Sequence, residues 1–235
     1  MPRILLIDPI PPSLVERMRP MFPAGTDLDL VPTLSEEDLA RHAAETEILL
    51  VIQRKVDARL LSIVPRVRFV QRVGVGYDNL DLEALQAAGV VAAYTPGANA
   101  VAVAEHTILL MLVLLKRLTT AESATRQGGW PTMELFQAGL GDLAGTTVGL
   151  VGFGNTARAV AQRLVPFGSR LQYTSHHAMD PATEQQFGVR YASLEDLLAS
   201  STIVSLHVPL TGATRRLSWQ KCQREPFWST LHAAR

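Results

Sequence analysis

Short apolar runs alternate with amphipathic stretches along most of this chain. Arg3–Asp8 (RILLID), Leu28–Val31, Glu47–Gln53 (EILLVIQ), Arg68–Val73 and Val90–Tyr94 are too short and too uniformly apolar for surface helices. They suit strands buried on both faces of a parallel sheet. Between them, helices are predicted from Ser13, from Ser35 to Ala44, from Asp57 to Val64 and from Asp81 to Ala88. Ser35-Glu36-Glu37-Asp38 reads as a capping-box start, and the prolines at 9, 11 and 12 end the first strand. Strand and helix in alternation predict a parallel α/β domain over residues 1–99.

The boundary falls near Thr95-Pro96-Gly97-Ala98-Asn99, ahead of a long apolar helix predicted from Ala100 to Leu118. Thr119–Leu143 shows no periodicity around Gln127-Gly128-Gly129-Trp130-Pro131 and reads as an excursion over the surface, suited to a subunit contact. A second α/β domain, residues 100–218, takes its sheet from Val148–Val151, Arg170–Thr174 and Thr202–His207, with helices after Gly154 and over Ser193–Ala199. Beyond residue 218 no strand alternation and no helical face continues the pattern, so residues 219–235 read as an aberrant tail.

Candidate chemistry centres on Thr146–Gly168. An apolar strand runs into Gly152-Phe153-Gly154-Asn155-Thr156-Ala157, and then Ala157, Val160, Ala161 and Leu164 recur at helical spacing. This is the G-x-G-x-x-A form of the dinucleotide fingerprint in its required setting of strand, glycine turn and helix. Gly152 allows the turn, Gly154 removes the Cβ that would bar a pyrophosphate, and Ala157 lets helix and strand approach. Free amides and the positive helix end would face the phosphates. The plain alternative is a glycine turn with no ligand.

Composition narrows the classes. Lys plus Arg and Asp plus Glu each number 22 with no run of like charge, which argues against a nucleic-acid or membrane surface. The single cysteine, Cys222, cannot form an internal disulfide, so a reducing cytoplasm is expected. Thr107–Leu115 is strongly apolar but far short of the roughly 20 residues a membrane span needs. No metal site is expected.

Four stretches, in order, resemble the D-isomer-specific 2-hydroxyacid dehydrogenases: Val73-Gly74-Val75-Gly76-Tyr77-Asp78-Asn79; Pro96–Ala100 with Val103-Ala104-Glu105-His106; the fingerprint; and Val204–Thr211. The resemblance implies two Rossmann-like parallel-sheet domains, a flavodoxin-like substrate domain and an NAD(P)-binding Rossmann domain, with hydride transfer between NAD(P)H and a small 2-oxo acid in the cleft between them. It implies that the amides of Val75 and Gly76 receive the substrate carboxylate, a role a plain glycine turn would lack. Asn99 is an amide donor at the junction on the same grounds, or the N-cap of the long helix. Glu105 and His106 are left out of catalysis. His207, Val208 and Pro209 would line the adenosine pocket, and Thr214 would reach a phosphate. His207 read alone is also an ordinary strand-end histidine.

A carboxylate about 20 residues after the glycines usually grips the cofactor's ribose, and here that position is Ser175, followed by His176 and His177. The missing charge predicts a weak preference for NADP over NAD. Family members also carry an arginine in N-x-A-R-G, a glutamate after D-V-F and a later histidine, and none of these motifs is present. Trp228–Ala233 can be back-translated so that another frame spells V-N-T-A-R-G, which points to a frameshift near Ser218 and a C-terminally truncated dehydrogenase. The nucleotide domain is then incomplete, and the substrate domain lacks its C-terminal return segment. The expected activity is that of a 2-hydroxyacid dehydrogenase impaired in turnover, homodimeric in a complete relative, the alternatives being a non-catalytic dinucleotide-binding protein and a non-functional fragment.

Overall fold

The computed structural model describes residues 3–209 and 214, and the backbone of 227–229. The chain divides into two compact units, Met1–Ala98 and Asn99–Arg235. In the first, β1 (Arg3–Leu6), β2 (Asp27–Leu30), β3 (Thr46–Val51), β4 (Phe69–Arg72) and β5 (Val91–Ala93) form a parallel sheet in the order β2-β1-β3-β4-β5. Helices α1 (Pro12–Met18), α2 (Glu36–Ala43), α3 (Ala58–Ile63) and α4 (Leu82–Ala87) connect them.

The strands' near-continuous apolar runs are explained by cover on both faces. Ile4, Leu6 and Leu50 join Val15 of α1 in one cluster, while their strand neighbours Leu5, Leu49 and Val51 join residues of α2, α3 and α4 in another. The two-residue period of a strand sends alternate side chains to opposite faces, so a doubly wound sheet needs apolar residues at both. Ser35 caps α2 by accepting from the Asp38 amide at 3.1 Å. The reciprocal half of the predicted capping box does not form: the Asp38 carboxylate takes Thr33 and Arg41, and the Ser35 amide turns to Thr33 Oγ1.

The second unit begins with α5 (Ala100–Leu115), α6 (Leu118–Arg126) and α7 (Thr132–Ala138), so the predicted excursion holds two exposed helices on either side of its glycine loop. Next come β6 (Thr147–Val151), α8 (Asn155–Leu164), β7 (Arg170–Thr174), α9 (Pro181–Phe187), β8 (Val189–Tyr191), α10 (Leu194–Ser200), β9 (Ile203–Leu206) and β10 (Phe227–Ser229). The sheet is parallel in the order β10-β9-β6-β7-β8, which read from β8 is the Rossmann order 3-2-1-4-5 counted from β6. Besides α6, α7 and β10, the pattern did not predict α9 and β8, which turn on a Pro start and a Gly188 stop with a positive φ of 60°.

One expectation is corrected. The tail contributes a strand: β10 pairs in parallel with β9, Phe227 opposite Ile203 and Ser229 opposite Ser205, so the sheet continues past β9. Residues 210–213, 215–226 and 230–235, including Cys222 and most of the proposed frameshifted segment, lie outside the described residues.

Candidate functional site

Ligands of open α/β sheets settle beyond the carboxyl ends of the strands where the strand order reverses. In the second unit that point lies between β6 and β9, and the fingerprint stands on one side of it with the His207–Pro209 turn on the other. Gly152 has φ 91°, and a Cβ there would lie 2.6 Å from the His207 carbonyl oxygen and 2.8 Å from Val208 Cγ1. Its amide donates to the Thr174 carbonyl at 2.8 Å. Gly152 thus seals the two turns together. Gly154 differs: a Cβ built on it meets nothing within 4 Å, so its missing side chain leaves open space at the start of α8.

Gly154 is the N-cap of α8 and supplies no capping side chain, so the first amides of the helix have no side-chain acceptor. Together with the helix dipole they form a seat for an anion, formed by Gly154, Asn155 and Thr156. Two other fingerprint positions turn inward. Ala157 is wholly buried against the sheet, and Phe153 is 4% exposed, its ring 4.4 Å from that of Tyr173 and edge-on to Phe187 at 5.7 Å. The Phe153 side chain is therefore a core group, and its backbone is what lines the turn.

The Ser175 hydroxyl, at the end of β7, donates to the His177 carbonyl, and His176 is exposed beside it. His207 sits at the end of β9, sharing a 3.0 Å hydrogen bond between its Nε2 and Ser205 Oγ. The protein around the imidazole strips it of water and holds its pKa down at about 4, so the ring is neutral at pH 7. The Thr214 hydroxyl donates to the Pro209 carbonyl at 2.6 Å.

In the first unit, the loop after β4 presents Val75 and Gly76 to solvent, and neither amide donates a hydrogen bond among the described residues. Thr95 braces this loop by donating its hydroxyl to the Gly74 carbonyl and accepting from the Gly74 amide. Asn79 ties it to the loop after β3, accepting from Arg72 Nε at 3.1 Å and donating to the Arg54 carbonyl at 2.9 Å. A rigid loop with two free amides can receive a carboxylate. Asn99 occupies the N-cap position of α5 but makes no side-chain cap bond, so the capping role is not realised, and its side-chain amide makes no hydrogen bond among the described residues. Glu105 lies 3.8 Å from Arg163 within the second unit, and His106 is exposed.

Two features escaped the sequence. A cavity of about 570 Å³ opens where the first sheet reverses order, between the ends of β1 and β3, lined among others by Asp8, Ile10, Leu34, Gln53 and Arg54. Asp8 holds its wall together, accepting from the amides of Ile52, Gln53 and Arg54 at 2.5, 2.9 and 2.8 Å. The second is Arg158, whose guanidinium lies over the rings of Phe153 and Phe187 at 5.7 and 5.6 Å. A cation so near a helix N-terminus runs against the dipole, which was the available signal. Among the described residues no group of His, Cys, Asp and Glu could hold a metal, and no helix is long and apolar enough to cross a membrane.

These features define a protein of two parallel-sheet α/β units, the second with a glycine turn and an uncapped helix start where its strand order reverses. Residues 4–234 match the model of the D-isomer specific 2-hydroxyacid dehydrogenase catalytic domain, and the chain belongs to that family. It is 35% identical over 179 residues to a glyoxylate reductase of Thermococcus litoralis, covering 74% of this chain and 54% of that protein. To a D-3-phosphoglycerate dehydrogenase of Archaeoglobus fulgidus it is 31% identical over 214 residues, 90% of this chain and 39% of the other. The solved pyruvate reductase of Chlamydomonas reinhardtii superposes with a TM-score of 0.82 at 25% identity, covering 98% of this chain and 69% of that one. The chain thus spans about four- to five-tenths of the length of these two curated relatives. The family is one of NAD(P)-dependent oxidoreductases, and its members act on small 2-hydroxy or 2-oxo acids.

Proposed function

We propose that this chain binds a nicotinamide dinucleotide through Gly152–Ala157, the Ser175–His176 turn and His207–Pro209, and that the amides of Val75 and Gly76 bind a small 2-oxo acid such as glyoxylate or hydroxypyruvate. The reaction it serves is hydride transfer between NAD(P)H and that acid. The observation that carries the reading is the pairing of Gly152 with His207 across the point where the second sheet reverses, beside an uncapped helix start. Pyrophosphate oxygens accept from the free amides of α8, and the positive helix end favours their charge. The neutral His207 adds no charge to the adenosine side of the crevice. Ser175 brings no carboxylate to the ribose, which lowers the repulsion of a 2′-phosphate and supports NADP over NAD by a small margin.

Turnover by these 235 residues alone is expected to be weak, because they contain neither the N-x-A-R-G arginine nor the D-V-F stretch with its glutamate and later histidine that the resemblance implies. General acid–base help contributes about 10²–10⁴-fold in such reactions. A non-catalytic dinucleotide-binding protein is therefore the second reading. Titrating the purified chain with NADPH and NADH, then assaying oxidation with glyoxylate and hydroxypyruvate, separates them. Binding with turnover supports the dehydrogenase, binding without turnover the second reading, and no binding sinks both. The single cysteine supports a reducing cytoplasm. We also propose a homodimer through the Thr119–Leu143 excursion, where Trp130 before α7 and Met133 and Phe136 on it are 84, 64 and 77% exposed.

A further inference from the structure

Ser175 removes the usual acid from the ribose position, and the structure sets a cation beside the segment that follows it. Arg158 projects from the first turns of α8. Its Nε lies 3.4 Å from the Phe153 carbonyl, within the fingerprint, and its Nη2 lies 3.5 Å from Met179 Sδ, four residues beyond Ser175. The guanidinium therefore spans from the glycine turn to the segment after β7, the two chain segments between which this fold holds the adenosine ribose.

We infer that Arg158 is the residue that distinguishes the 2′-phosphate of NADP from the free 2′-hydroxyl of NAD; the inference rests on the dinucleotide reading of Gly152–Ala157. Three observations support it. Arg158 is half-buried and makes no ion pair among the described residues, although a guanidinium withdrawn from water favours a compensating anion. Its neighbours are two ring faces, a thioether and one carbonyl, all neutral. Stacking on rings fixes the plane of the group, and with Nε donating to the Phe153 carbonyl and one Nη2 N–H to Met179 Sδ, its Nη1 side is left to face a phosphate. Finally, the acids on α9 are already supplied with donors. Glu184 accepts from the Tyr173 hydroxyl at 2.9 Å and the Tyr191 amide at 3.1 Å, and Asp180 caps α9 through the Thr183 amide at 2.9 Å.

The competing role for Arg158 is a clamp that packs α8 on α9. Calorimetric titration of the full chain with 2′,5′-ADP and with 5′-ADP distinguishes the two, because only the first carries the 2′-phosphate. Arg158→Leu is expected to weaken 2′,5′-ADP by about tenfold or more, while 5′-ADP stays within about twofold; each tenfold is about 1.4 kcal/mol. Arg158→Lys should keep part of the discrimination as a point charge. Arg158→Gln keeps a flat polar group on the rings and should behave as the leucine variant does, which guards against a leucine chain that fails to fold. Equal weakening of both nucleotides, no weakening, or loss of the folded state in Leu and Gln variants alike would establish the clamp and overturn the assignment. A wild-type chain that takes 5′-ADP but not 2′,5′-ADP overturns it while sparing the dinucleotide reading. One that takes neither overturns that reading and this inference together.

Discussion

Gly152 and His207 touch across the second sheet so closely that a Cβ on the glycine would stand 2.6 Å from the histidine carbonyl oxygen. Gly154, two residues on, has nothing within 4 Å of the same construction. The two glycines of one motif are therefore kept for different reasons, one for the fold and one for the ligand. Gly152→Ala, with φ at 91°, is expected to cost on the order of 2–4 kcal/mol from left-handed strain and a backbone clash. Gly154→Ala is expected to cost about 1 kcal/mol or less while weakening NADPH by tenfold or more. Denaturant unfolding and cofactor titration of both variants check this, and equal loss of stability at the two positions would contradict it.

His207 makes stability depend on pH in a stated direction. Its folded pKa of about 4 lies below the ordinary 6.5, so between those values the unfolded chain takes up a proton that the folded chain refuses. Its contribution is fully present above about pH 6.5 and is lost as the pH falls toward 4, by up to roughly 3 kcal/mol at about 1.4 kcal/mol per pH unit. His207→Gln should flatten this part of the profile. Urea midpoints measured from pH 7 to pH 4 on both chains supply the comparison; parallel slopes would remove His207 as the cause.

Asp8 joins two loops at the carboxyl edge of the first sheet by accepting three consecutive amides from Ile52 to Arg54. It is 6% exposed, so water cannot replace it. Asp8→Ala strands those donors and is expected to destabilise the first unit by about 2–4 kcal/mol. Hydrogen exchange provides the local reading: the amides of 52–54 should lose protection more than those of β5, and uniform loss would point to a global effect instead.

What could be read from the chain alone follows from how local each signal is. The strand and helix series was legible because buried parallel strands carry unbroken apolar runs, as at Leu49-Leu50-Val51, and because Ser35, Asp57, Asp81 and Ser193 each cap a helix through their own side chains. The glycine turn was legible because Gly-x-Gly is dictated by backbone geometry within six residues. Phe153 was not: whether a side chain in a turn faces ligand or core depends on Tyr173 and Phe187, 20 and 34 residues away. Arg158 was missed for the same reason, its setting being made by Phe187 and Met179. The short edge strand β10 has little periodicity of its own and is defined by its pairing with β9.

The surface of α6 and α7 leads to the last expectation. Trp130, Met133, Phe136 and Leu140 are 84, 64, 77 and 52% exposed within eleven residues, with no covering element of their own unit among the described residues. Such a cluster of large apolar groups on a monomer marks an interface, since each aromatic left in water forgoes about 1.5–3 kcal/mol of burial. A second copy of this chain can cover the same face by two-fold symmetry, the commonest closed arrangement. Sedimentation or light scattering should therefore show a dimer whose dissociation follows protein concentration. Trp130→Glu with Phe136→Glu should give a folded monomer with an unchanged circular dichroism spectrum at low temperature and a melting point that no longer depends on protein concentration, because neither side chain is part of the core. A wild-type chain that stays monomeric at tens of micromolar would exclude the interface, and a variant that still dimerises would move it elsewhere on the surface.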